Sequence, residues 1–496
     1  MSQSTNVLRQ PKPFYMIFFL ELWERFGYYG LQALLAVYFV KQLGMDDTTS
    51  FTTFGAFSAL VFGLVAIGGF IGDRVIGTKR TMVLGALVLA SGYLLMGLAD
   101  HDHHLVYLAL GCIAVGNGLF KANPSSLLSK CYEEGDKRLD GAFTMYYMAI
   151  NIGSFISMIL VPILTDRFGW SVGFFTCTLG MILSVASYWF LRSWVDGIGS
   201  APDLAPLDMK KMVLVLAGTV AAIFLSAWML QNLTVAHVLL AAVSSLVVVI
   251  FLKEIIASKG TEQKKMIAAL IMMLQAVVFF VLYMQMPTSL NFFAINNVEH
   301  SILGMAINPV TFQSLNPFWI MLASPILAYL YNRMGNTGRD LSMPMKFAIG
   351  MTLCATSFLI LPLGAQFANH MGIVSSGWII ASYFFQAIGE LLISGLGLAM
   401  VAQLVPQRLT GFIMGAWFLT SAAASVIGGF IASMTTVPSS NGAVDALQTL
   451  PVYSKVFLEI GLAAAVMAGL MLLTAPLLAR MINGDENMTE HAATAH

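Results

Sequence analysis

Residues Phe14–Val40 read FYMIFFLELWERFGYYGLQALLAVYFV. An apolar run of this length crosses the ~30 Å hydrocarbon core of a bilayer, yet Glu21, Glu24 and Arg25 stand inside it. It has no small-residue cleavage site, and charges interrupt it, so it reads as a retained first membrane helix, not a signal peptide. At 100° per residue, Glu21, Glu24, Arg25, Tyr28, Tyr29 and Gln32 fall within an arc of roughly 140°. A charge in hydrocarbon costs several kcal/mol, so this face is expected to look into the protein. Gly27 and Gly30 lie opposite, where missing side chains predict close helix packing.

The rest of the chain repeats the apolar theme. Of 496 residues, 58% are hydrophobic and 10% charged, whereas a soluble domain carries about a quarter charged residues. Fourteen spans are predicted, at 14–40, 53–72, 81–99, 105–128, 143–164, 171–191, 212–230, 235–256, 266–290, 316–333, 344–364, 375–401, 409–433 and 453–478. Lys and Arg concentrate in alternate connecting segments, among them Arg74, Lys79 and Arg80; Lys130, Lys137 and Arg138; and Lys253, Lys259, Lys264 and Lys265. The other segments hold only Lys41, Arg167 and Lys455. By the positive-inside rule this alternation puts both termini in the cytoplasm.

The Pro-containing polar stretch Ser200–Leu207 breaks the chain after six spans. The next two spans are almost free of ionisable residues and are expected to lie at the periphery, facing lipid. The predicted organisation is therefore a six-helix bundle (1–199), a linker with two extra helices (200–265), a second six-helix bundle (266–481) and a disordered tail (482–496). Such a six-plus-six count suggests two homologous halves around a midplane site, although no strong sequence self-match supports the repeat.

Five ionisable residues fall inside spans: Glu21, Glu24, Arg25, Lys121 and Glu390. At ~1.5 Å per residue, Glu24 and Glu390 sit about 15 Å from the cytoplasmic ends of their helices, near the midplane. A buried Lys keeps its charge when a carboxylate is close, so Lys121 is expected to pair with Glu21 or Glu24. Three carboxylates against two cations leave the set one positive charge short, which one bound proton would supply. Net charge is zero and offers nothing to nucleic acid. The four cysteines have neither disulfide nor metal-ligand spacing, and His101, Asp102, His103 and His104 read as a solvated loop with no further ligands nearby. No hydrolase or metalloprotease motif lies in a span, so an intramembrane enzyme is disfavoured. Single charges on several helices fit a closed midplane site better than the charged ring of a channel.

Glu21-Leu-Trp-Glu-Arg-Phe-Gly-Tyr-Tyr-Gly30 resembles the E-x-x-E-R-F-x-Y-Y-G motif of the proton-dependent oligopeptide transporters, a family of the major facilitator superfamily. Gly69–Arg80 is similar to the superfamily's loop between its second and third helices, and includes Asp73 and Arg74 as gating-loop residues. Further similarities are Phe143–Ser157, Lys121 in Gly-Leu-Phe-Lys-Ala-Asn-Pro, Asn316 in Leu-Asn-Pro-Phe-Trp, and Glu390 in Ile-Gly-Glu-Leu-Leu-Ile-Ser. The resemblance covers nearly the whole chain and is nearest to the bacterial dipeptide and tripeptide permeases with their extra helix pair. It implies an all-α membrane protein of the superfamily fold, importing dipeptides and tripeptides with protons across the bacterial inner membrane. Arg25, Lys121 and Tyr29 would hold the peptide carboxylate, and Glu390, Asn151 and Asn316 its amino terminus and backbone. Tyr147, Tyr283, Trp417 and Phe62 would line side-chain pockets, while Glu21, Glu24 and Lys121 would couple the proton. Phe62 stands where many relatives carry Tyr, removing one hydroxyl, and Gln275 stands where relatives often carry Glu. No cofactor or metal is implied beyond the coupling proton; lipids are the surrounding partner, and the chain is expected to work as a monomer. Another superfamily cargo, such as an amino acid, nitrate or an antibiotic, is the alternative.

Overall fold

A computed structural model describes residues 10–133, 136, 138–336, 341–437 and 445–483. Most of the tail expected over 482–496 lies outside them, as do Arg9, Lys137 and Arg339. The long helices are α1 (Lys12–Lys41), α2 (Asp47–Val75), α3 (Thr78–Ala99), α4 (His103–Ser129), α5 (Arg138–Phe168), α6 (Trp170–Leu191), α7 (Met209–Gln231), α8 (Leu233–Ala257) and α9 (Gly260–Tyr283). They are followed by a short α10 (Ser289–Asn297), then α11 (Leu315–Asn336), α12 (Met343–Ala365), α13 (Ser376–Leu404), α14 (Thr410–Ser433) and α15 (Ala446–Asn483). Each of the fourteen predicted spans has its helix. Among the described residues, twelve helical stretches are long and apolar enough to cross a membrane, and α1 and α11 complete the set. The chain is a multi-pass α-helical membrane protein.

Several spans differ at their ends from the sequence reading, and in three of them the local cause is visible. The second begins earlier, because Asp46 caps it by accepting from Thr49 N at 3.0 Å, and ends in a π-helical turn over Ile71–Val75. The fourth is interrupted at Ala122, just before Asn123-Pro124; proline removes a helical N–H. The ninth was expected to run over 266–290 but ends at Tyr283. Pro287 follows, and polar side chains there bond locally: Gln285 Nε2 donates to Val281 O and Gly428 O at 3.0 and 3.1 Å, and Ser289 Oγ to Gln285 Oε1 at 2.7 Å. Those bonds satisfy the groups that the interrupted helix leaves open, and the chain restarts as α10.

Two compact units divide at Ala236 and His237, inside the extra helix pair. In the first, α1 packs on α5 and α6, and α3 on α4. Gly27 and Gly30 permit the predicted close approach: a β-carbon there would lie 3.1 Å from Cys177 O and 2.9 Å from Val161 Cγ2. Helix α7 rests on α4 near Gly111, where a β-carbon would meet Ile223 O at 2.6 Å. In helix α8 only 11% of the residues over an apolar 18-residue stretch are buried, the exposure expected of a peripheral helix.

The polar stretch after α6 folds back onto the start of α3. Gly77, at φ +106°, turns the chain into α3, where Thr78 N donates to Ser200 Oγ at 3.0 Å and Lys79 N to Asp203 Oδ1 at 3.1 Å. Asp203 also accepts from Ser200 N at 3.0 Å, completing a capping box on the short helix Ala201–Leu204. Arg80 donates to Pro202 O and Ala205 O at 2.8 and 3.1 Å. One carboxylate thus closes two helix N-termini.

In the second unit α12 packs against α15 and α13, and α9 against α14. One end of this unit is tied through Asn297, which is fully buried. Its Nδ2 donates to Gly372 O at 3.1 Å and Ala446 O at 2.8 Å, its Oδ1 accepts from Thr449 Oγ1 at 2.8 Å, and its backbone oxygen accepts from Val374 N at 2.7 Å. Beyond it, β1 (Ser301–Ile302) and β2 (Met305–Ala306) form a two-residue hairpin.

Candidate functional site

Helix α1 brings its polar face inward, as its periodicity requires. Glu21, Glu24 and Arg25 are all buried to 1% exposure or less. Arg25 grips Glu24 with two nitrogens: Nε contacts Oε2, and Nη2 reaches Oε1 at 2.7 Å. Arg25 Nε also lies 3.5 Å from Glu21 Oε1. A guanidinium presents a planar fork that matches a carboxylate, so this bidentate geometry suits Arg and not Lys. The Tyr28 ring lies 5.0 Å from the Arg25 guanidinium carbon, and Tyr29 packs edge-on against Tyr28.

Lys121 does not take the predicted carboxylate partner. Among the described residues it forms no ion pair within 4.0 Å; Arg25, next to both carboxylates on the same helix, already holds them. Lys121 nevertheless shares the electrostatic field of Arg25, Glu21 and Glu24. Glu21 Oε2 is buried and has no hydrogen-bond partner among the described residues, with the Tyr146 ring hydroxyl beside the carboxyl group. Tyr93, fully buried on α3, packs on the first helix at Gly27, where a β-carbon would lie 3.1 Å from its ring. Neither Tyr93 nor Tyr146 was singled out from sequence. The neighbouring residue was: Tyr147 is half-buried, and its backbone oxygen accepts from Asn151 Nδ2 at 2.8 Å. One residue along a helix is 100° of rotation, enough to exchange the two tyrosines' directions.

In the second unit Glu390, 8% exposed, accepts from Asn316 Nδ2 at 2.8 Å, joining α13 to α11. Trp417 is buried between Phe280, at a ring distance of 5.8 Å, and Gly397, the place of whose β-carbon it fills. Tyr283 lies 6.2 Å from the Phe279 ring and is half-buried, as is Phe62 in the first unit; Gln275 is buried on α9. Asp73 sits in the π-turn and accepts from Lys130 Nζ at 2.9 Å and Ser126 Oγ at 3.2 Å, while Arg74 is exposed. Asp102 of the His-rich loop caps α4 through His104 N and Leu105 N, at 2.9 and 3.2 Å.

Comparison with known proteins matches these features to one family. The POT family model covers residues 79–450. Dipeptide and tripeptide permease A of Salmonella typhimurium is 58% identical over 494 residues, which cover 100% of this chain and 98% of the permease. The permease of the same name from Escherichia coli K12 is 59% identical over 484 residues, covering 98% and 96%. Among solved structures, tetrameric PepTSo2 superimposes with a TM-score of 0.85 at 39% identity, covering 95% of this chain and 99% of that one. A bacterial homologue of the human drug peptide transporters PepT1 and PepT2 gives 0.83 at 38% identity, with the same coverage. These relatives are permeases and transporters, and the chain is not an enzyme. With its charged first helix and this similarity along its whole length, the chain belongs to the POT family of peptide transporters.

Proposed function

We propose that this protein imports dipeptides and tripeptides together with protons across the bacterial inner membrane by alternating access, with both termini in the cytoplasm. The observation that carries the reading is the buried Glu21/Glu24/Arg25 cluster, two carboxylates around one guanidinium in a span of the first helix. Removing an unbalanced charge from water costs several kcal/mol, so such a cluster favours binding one proton. Glu21 Oε2, an acceptor with no donor among the described residues, offers that proton a seat.

Because Arg25 and not Lys121 is the clamped cation, a proton shared by the carboxylate pair would loosen their hold on the guanidinium. Arg25, Lys121 and Tyr29 would then receive the peptide carboxylate. Glu390, held by Asn316, and Asn151 would receive the amino terminus and backbone. Tyr147, Tyr283, Trp417 and Phe62 would contact side chains, and Asp73 and Arg74 would act in the gating loop. A zwitterion meeting opposite charges at its two ends recovers much of its lost hydration. The scheme is that of a monomer within the lipid, with the proton as coupling ion and no cofactor.

The test is uptake of labelled dialanine and trialanine by the purified protein in liposomes with an imposed pH gradient. Accumulation against the peptide gradient, competed by unlabelled peptide and not by free alanine, is expected. Failure of the gradient to drive accumulation would falsify proton coupling, and competition by free alanine would transfer the cargo to the amino-acid alternative.

A further inference from the structure

The two units repeat one helix crossing residue by residue. In the first, α3 meets α4 where a β-carbon on Gly85 would lie 2.9 Å from Gly116 O, and one on Gly116 would lie 3.0 Å from Gly85 O and 2.7 Å from Leu89 N. In the second, α12 meets α13 where a β-carbon on Gly350 would lie 2.9 Å from Gly389 O, and one on Gly389 would lie 2.7 Å from Gly350 O and 3.4 Å from Cys354 N. Gly85 and Gly350 each stand seven residues after their helix starts, Thr78 and Met343; Gly116 and Gly389 each stand thirteen after theirs, His103 and Ser376. The outer contacts keep the same register, with Leu119 and Phe120 against Gly85, and Leu392 and Ile393 against Gly350. The sequences Ala-Val-Gly-Asn (114–117) and Ala-Ile-Gly-Glu (387–390) then align without a gap.

This register pairs Asn117 with Glu390 and Lys121 with Ser394. Each unit thus carries one charge and one neutral polar residue at the same two places. Asn117 is fully buried, and neither its amide oxygen nor its amide nitrogen has a hydrogen-bond partner among the described residues. It lies four residues before Lys121, on the same side of α4. A buried carboxamide with both ends unsatisfied is costly to maintain, so each such group calls for an explanation. A carboxamide offers one acceptor and a donor, the complement of a peptide bond.

We infer that Asn117 is a substrate-binding residue, the first unit's counterpart of Glu390, and that its carboxamide hydrogen-bonds the main-chain amide of the transported peptide one turn from Lys121. This rests on the peptide reading proposed above and assigns that site a specificity determinant for the backbone.

The experiment uses the full chain in liposomes and two probes: dialanine, and its analogue in which an ester oxygen replaces the amide N–H. For the wild type a lower KM for dialanine than for the ester is expected. Asn117→Leu should raise the dialanine KM at least tenfold with kcat changed less than threefold, and should lose the preference for amide over ester. Asn117→Ser, which keeps a hydroxyl, should restore part of both. If Asn117→Leu does not fold, Asn117→Ala carries the same comparison. An unchanged KM, a fall confined to kcat, or a retained amide preference in the apolar variants overturns the inference. Absence of saturable dialanine uptake in the wild type would instead overturn the peptide reading on which it rests.

Discussion

Glu24→Gln perturbs the cluster at its tightest contact. The guanidinium of Arg25 holds Glu24 by two charge-assisted bonds in a fully buried setting. Breaking a buried pair costs about 3–5 kcal/mol when a charge is left bare. Gln keeps one acceptor for Arg25, and Glu21 waits 3.5 Å away to take up the guanidinium, so the expected loss of stability is nearer 2 kcal/mol. The functional loss should be larger. A proton crossing ~150 mV releases about 3.5 kcal/mol, enough for accumulation of a few hundredfold. With one carboxylate gone, Glu21 and Glu390 balance Arg25 and Lys121 without a proton, and the gradient has nothing to act on. In liposomes, pH-driven dialanine accumulation should fall to about unity, while counterflow of labelled against unlabelled peptide continues. A variant that still concentrates peptide like the wild type, with the ion pair gone, would refute the assignment of coupling to this cluster.

Three further outcomes follow from the fold. Asp203→Ala removes the carboxylate that closes two helix N-termini and should lower stability by about 2 kcal/mol, read from thermal unfolding in detergent. Gly389→Val places a β-carbon 2.5 Å from Cys354 Sγ and 2.7 Å from Gly350 O; it should cost more than about 3 kcal/mol and abolish folded protein, seen by size-exclusion chromatography, whereas the same change at the open Gly395 should be tolerated. Hydrogen bonds from the Thr49 hydroxyl and backbone N–H hold the Asp46 carboxyl below its usual range. Its folded value being depressed, the cap's stabilisation of about 1 kcal/mol is present above the ordinary carboxylate range and lost as pH falls through the folded value. Asp46→Ala should therefore unfold earlier than wild type at pH 7, with the difference shrinking toward pH 3.

Much of this was legible in residue order because lipid imposes strict costs. Length and hydropathy fixed the fourteen helices, and the price of a buried charge marked Glu21, Glu24, Arg25 and Glu390 before any contact was known. The small-residue side of the first helix was equally plain, and Gly27 and Gly30 do pack against α6 and α5. What sequence could not supply were relations set by rotation and by distant packing. Arg25 and not Lys121 holds the carboxylates because neighbours on one helix need no docking partner to meet. Tyr146, not its motif neighbour Tyr147, faces Glu21. The linker read as a plain break is bonded to a helix start more than 120 positions earlier. The correspondence of Asn117 with Glu390 emerges only when the two glycine crossings are laid over each other, since too few identical residues survive to announce it.

The tie through Asn297 has a practical consequence for watching the transporter move. Asn297, at the end of α10, binds two stretches far off in sequence, one before α13 and one at the start of α15, through its buried side chain and its backbone oxygen. Spectroscopic labels on the exposed Glu299 and Gln448 therefore straddle a fixed knot, and their separation should stay constant through every stage of turnover. Such a pair serves as an internal ruler, against which any distance change recorded elsewhere in the second unit can be calibrated.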